Sequence, residues 1–81
     1  MENARAICLV LTSWPAEGDA DAAARQLVDE GLAACVMVGA TSTSYYRWEG
    51  KRERAEERPL TIKTTRDQVA AVESRLKALH P

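Results

Sequence analysis

Phenylalanine is absent, and only four aromatic side chains occur in 81 residues. Much of the 46% apolar share is alanine. A chain of this length makes one domain at most, spanning residues 1–81, and such a core is thin for a lone subunit. Outside help from a partner chain, a metal or a disulfide is therefore expected. Cysteine is scarce. Cys8 and Cys35 make no disulfide framework, and with no export signal both are expected as reduced thiols in the cytoplasm. The first residues, Met1 to Ala6, carry charges of both signs and lack the apolar segment of a secretory signal. Histidine occurs once, as His80, and there is no C-x-x-C or paired histidine, so spacing alone gives little metal signal. Neither sign of charge prevails: 11 Lys and Arg face 12 Asp and Glu. That balance argues against nucleic acid as the main partner. No apolar run approaches the roughly 20 residues that span a bilayer, so no membrane role is expected. There is no G-x-S-x-G, no glycine-rich phosphate loop and no nucleophile–base–orienter set, so the chain does not read as an enzyme.

What is present has a clear order. AICLVL at residues 6–11 is a continuous apolar run, expected as a strand buried on both faces and followed by a loop at residues 12–18. Asp19 is placed to cap a helix whose stripe is Ala20, Ala23, Ala24, Leu27 and Val28, with Gly31 just past its end. Three of those five side chains are alanine, so this helix can approach its sheet closely. Residues 32–48 read as strand, with a bend or bulge at Gly39. Glu49, Gly50 and Lys51 form a hairpin turn. The returning arm, residues 52–65, begins highly charged and ends PLTIKTT, with Leu60, Ile62 and Thr64 on one face and Pro59 at an edge, a bulge or the point where pairing changes. A T-x-x-Q capping box at residues 65–68 opens a second helix with Val69, Val72, Leu76 and Leu79 as its stripe. The order β-α-β-β-α is an α+β, ferredoxin-like layer with a long β-hairpin, one strand short of a complete split β-α-β unit.

Four blocks carry a family resemblance: EGLAACVMV at residues 30–38, TSTSYYRWEGK at 41–51, TIKTTR at 61–66 and LHP at 79–81. In this order and spacing they resemble the CutA family of divalent-cation-tolerance proteins. The resemblance implies a ferredoxin-like subunit in a tight homotrimer, a long bent hairpin shared between subunits, and links to copper tolerance and copper binding. Family members continue after the HP pair with a strand and a terminal helix; this chain is read as a C-terminally shortened form, which leaves the edge of the first strand open. Further departures are Ala40-Thr41 in place of Pro-Gly, Trp14 where some members carry a cysteine, and the arginine-rich start of the returning arm.

Cys35 matches the cysteine of the family's AACV block, and a thiolate suits Cu(I). By residue type alone Cys35 is a small core side chain, and Cys8 more so. His80 matches the family's HP pair and is the one imidazole available to a site shared between subunits. Its simpler role is to sit favourably at a helix C-terminus. Met37 and Met1 offer thioethers, although strand packing and initiation account for them. Glu53, Glu56 and Glu57 alternate with Arg52, Arg54 and Arg58, which reads as a solvated, ion-paired strand. On the hairpin, Tyr46 and Trp48 share one face, and Tyr45 and Arg47 the other; Tyr, Trp and Arg dominate interface hot spots, so all four are read as subunit contacts. The expected function is thus a homotrimeric, cytoplasmic, non-catalytic divalent-cation-tolerance protein. It requires no cofactor and binds copper or another divalent cation through Cys35 and His80. A trimeric small-molecule sensor or structural partner module, with metal binding incidental, is the alternative.

Overall fold

The structure, a computed structural model, describes residues 4–80; Met1 and Pro81, both named above, lie outside the described residues. The chain runs β1 (Ile7–Pro15), α1 (Ala20–Asp29), β2 (Cys35–Val38), β3 (Ser42–Trp48), β4 (Lys51–Thr65), a 3-10 turn (Arg66–Gln68) and α2 (Val69–Leu79). β4 is the axis of the sheet. It pairs antiparallel with β1 along one side, and with β2 and then β3 along the other. β1 and β2 therefore run parallel, joined by the α1 crossover, as the β-α-β-β-α order requires.

Alternation along the strands divides the sheet. Val10, Ile62 and Val36 stand in one row by register, and Thr12, Leu60 and Val38 in another. Both rows point toward the helices. Leu60, Ile62 and Thr64 are buried, as their shared face foretells. Ala20, Ala23 and Leu27 of α1 and Val72 and Leu76 of α2 close this core. Val28 departs from the expected stripe and is exposed.

The ends of α1 follow its sequence. Asp19 accepts a hydrogen bond from the Ala22 amide at 2.9 Å. At the other end the Gly31 amide donates to the Val28 carbonyl and the Leu32 amide to the Leu27 carbonyl, with Gly31 at φ 74°. That double closure is a Schellman motif, which needs a residue at positive φ. The capping box at residues 65–68 does not form. Thr65 makes no cap bond; its hydroxyl donates to Asp67, and the Gln68 side chain donates to the Gly31 carbonyl instead. With Gln68 drawn to the neighbouring loop, the first turn tightens to 3-10 and α2 starts only at Val69.

Two further differences concern β1. It extends to Pro15 rather than ending at Leu11, so Trp14 stands on the strand and is buried, 2% exposed. It is also not covered on both faces: Ile7, Leu9 and Leu11 point away from the helices into solvent.

The long second strand is broken at residues 39–41, between β2 and β3, as Gly39 foretells. A Cβ on Gly39 would lie 2.6 Å from Pro59 Cγ, so only glycine fits there without a shift. The Gly39 amide donates to the Pro59 carbonyl at 2.8 Å. Pro59 thus sits where β4 changes partner from β3 to β2. Beyond it β3 and β4 project as a two-stranded ribbon. Glu49 and Gly50, at φ 51° and 77°, form the primed two-residue turn that suits the twist of such a ribbon.

Candidate functional site

Three places on this frame hold the residues singled out by sequence. The first is the open face of the sheet. By register Leu9, Lys63 and Cys35 form one row, and Leu11, Thr61 and Met37 the next. Ile7, Leu9, Leu11 and Met37 are 67, 59, 73 and 63% exposed. Ile7, Leu9 and Leu11 make an exposed apolar row along edge strand β1, and Met37 lies across Thr61 of β4 from it. So much exposed apolar surface on one sheet face points to a contact. Sequence reasoning missed it because a run that is apolar at every position looks the same whether one face or both are covered. Cys35 lies at the margin of this patch, half-buried. Cys8, paired by register with Thr64, points to the helix side. The two thiols therefore stand on opposite faces of the sheet.

The second place is the corner where β1 and α2 end. His80 caps α2, its amide bonded to the Leu76 carbonyl at 2.9 Å. Its ring lies 4.6 Å from that of Trp14, tilted by 57°. Nε2 is 3.3 Å from the Ser13 carbonyl. A carbonyl only accepts, so Nε2 carries the proton in that contact. Trp14 and Ser13 are four to five residues along β1 from the row of Cys35, roughly 13–16 Å. Cys35 and His80 also face opposite sides of the sheet, so one copy does not bring them together. Among the described residues no group of three or more His, Cys, Asp or Glu is placed to hold a metal ion.

The third place is the ribbon. Tyr46 and Trp48 share one face with Glu53 and Lys51 opposite them, while Tyr45 and Arg47 face the other way with Arg54 and Arg52. All four side chains are exposed. The ribbon is tied down at its base by Arg58. Its Nε donates to the Gly39 carbonyl at 3.0 Å, and its Nη1 is 3.9 Å from Asp21. Arg54 pairs with Glu56 at 2.9 Å, and the Glu57 carboxylate accepts from Ser13.

Two shallow clefts open on the body. One, about 250 Å³, lies beside Trp14, Gly18 and Leu79 with Asp19 as its one ionisable side chain. The other, about 280 Å³, is lined by Ile7, the 31–34 loop, Thr64, Thr65 and Gln68, none of them ionisable. Neither holds a pair of titrating groups for acid–base chemistry.

A split β-α-β layer with both helices on one face, and a bent ribbon growing from its third and fourth strands, defines a ferredoxin-like α+β protein. Residues 8–81 match the model of the family described as CutA1 divalent ion tolerance protein, and the chain belongs to that family. It is 42% identical over 73 residues to the divalent-cation tolerance protein CutA of Thermus thermophilus, an alignment covering 90% of this chain and 71% of that relative. With the relative of that name from Yersinia pestis, strain Pestoides F, it shares 40% over 73 residues, covering 90% of this chain and 61% of the relative. The chain thus spans between 61 and 71% of the length of these relatives. The solved Thermus thermophilus protein superposes with a TM-score of 0.89 at 41% identity, covering 94% of this chain and 74% of that one. A structure from Archaeoglobus fulgidus, described as a periplasmic divalent cation tolerance protein CutA, gives a TM-score of 0.86 at 32% identity, covering 93% of this chain and 72% of that one.

Proposed function

We propose that the protein works in divalent-cation tolerance as a homotrimer that binds copper or another divalent cation. The observation that carries the reading is the family match across residues 8–81. The open face of Ile7, Leu9, Leu11 and Met37 supports the assembly, because burying it against other copies adds the apolar area that an alanine-rich core lacks. The exposed side chains of Tyr45, Tyr46, Arg47 and Trp48 belong to the contacts between copies. Cys35 supplies a soft sulfur donor and His80 an imidazole. Because they lie apart within one copy, a shared ion would have to draw them from different copies. The protein is non-catalytic in this reading, and neither nucleic acid nor a membrane is its partner. It is cytoplasmic, where its two thiols stay reduced.

Copper titration of the reduced protein tests this, with Cys35→Ser and His80→Ala alongside and oligomeric mass measured in parallel. Sub-micromolar binding that is lost in either variant supports the reading. Equal weak binding by all three proteins would leave a sensor or structural module in its place.

A further inference from the structure

The ribbon carries its charge unevenly. Arg47 stands directly opposite Arg52 in the β3–β4 register, and Arg54 follows on the same face one row nearer the base. Like charges directly opposite on an antiparallel pair repel. Arg54 is answered by Glu56 at 2.9 Å, but neither Arg47 nor Arg52 has an ion pair among the described residues. The other face of the ribbon is balanced, with Lys51 and Glu53. The excess of positive charge is therefore local, on a chain of net charge −1.

The complementary charge lies at the ribbon's base. Glu17, Asp19 and Asp21 are exposed on the loop and first helical turn that follow β1. One cation, Arg58, approaches them, at 3.9 Å from Asp21. Tip and base are about six residues apart along β4, roughly 20 Å, too far for the two ends of one copy to meet.

We propose that the Arg47–Arg52 pair of one copy docks on the Glu17–Asp21 segment of the next. The contact is head-to-tail, and such contacts close into rings when the rotation allows. Guanidinium groups suit it, because their paired donors match carboxylates two at a time. The occupant is a second copy because the same chain carries both halves of the match. This inference rests on the homotrimer proposed above and adds what sets its register: charge at the tip, while the open sheet face supplies the buried area.

Sedimentation analysis at low and high salt tests it, using the full chain, Arg47→Glu/Arg52→Glu, Glu17→Lys/Asp21→Lys, and all four changes together. Asp19 is left intact because it caps α1. Either pair of reversals is expected to weaken assembly by about tenfold or more at low salt and to flatten the salt dependence. The fourfold variant is expected to regain assembly. Far-UV circular dichroism on each variant separates a lost contact from a lost fold. Wild-type assembly and salt dependence in the reversed variants would overturn the inference and leave the homotrimer standing. So would weakening that the fourfold change does not restore. A wild-type chain that stays monomeric at every salt concentration would overturn both.

Discussion

Trp14 shows how much one side chain supports. It is the single aromatic residue of the core, and the remaining three all lie on the ribbon. It closes the end of β1 against α1 and packs against the His80 ring, 4.6 Å away and tilted by 57°. The surrounding alanines cannot collapse into the space its loss would leave. Trp14→Ala is accordingly expected to cost about 3–5 kcal/mol, read as a fall in the urea midpoint. That is a large fraction of the total stability of a small domain. A loss below about 1 kcal/mol would mean that Trp14 acts at the surface of the fold and not in its core.

Two cross-links show the same economy among elements. Arg75 of α2 grips Glu30 at the end of α1 through Nε at 2.9 and 3.2 Å and through Nη2 at 2.9 Å. These hydrogen bonds, with a further one from Gln26, hold the Glu30 carboxyl below the usual carboxylate range. A depressed folded value means the contribution is present above the unfolded value and is lost as pH falls through the folded one. Arg75→Ala is expected to return the Glu30 titration, followed by carboxyl NMR, toward the ordinary range; an unmoved titration would show that Gln26 suffices. The other cross-link is Arg58, which ties the break at residues 39–41 to the first turn of α1. Arg58→Ala is expected to speed amide exchange at Gly39 by about tenfold while helix amides keep their protection, since hydrogen bonds to charged groups are among the stronger ones. Uniform protection after the change would mean that the Gly39–Pro59 contact alone sets the ribbon's angle. Both elements and their order were legible in the sequence, because period and punctuation carry them: Asp19, Gly31, Gly39, Gly50 and Pro59 each do in space what their chemistry foretells. The Arg58 link and the failed cap at Thr65 were not, because each depends on a neighbour more than ten residues away. For the candidate ligands, residue types pointed to Cys35 and His80, but nothing local says that β2 and the end of α2 leave them on opposite sides of the sheet.

At the scale of the whole molecule the chain has too much surface for its mass. A compact monomer of 8.9 kDa exposes about 4,800 Å², whereas this chain exposes 5703 Å². Its radius of gyration is 13.9 Å, against about 12 Å for a compact domain of its length. The excess surface is comparable to the roughly 800 Å² that each partner buries in an ordinary stable interface. Folding and assembly should then be coupled, since anything that binds only the folded chain stabilises it by mass action. For three copies the thermal midpoint is expected to rise by about 4–7 °C for each tenfold increase in protein concentration. Leu11 stands on the open face at edge strand β1, in the row of Thr61 and Met37, and points away from the helices that close the core. Leu11→Glu places a charge where a second copy would have to desolvate it, yet leaves the covered side of the sheet unchanged. In that variant the midpoint is expected to fall and to stop depending on concentration, while far-UV circular dichroism at low temperature keeps its shape. A wild-type midpoint that ignores concentration, with Leu11→Glu as stable as the parent, would show that the open face is solvated in the working protein and that the thin core suffices without help.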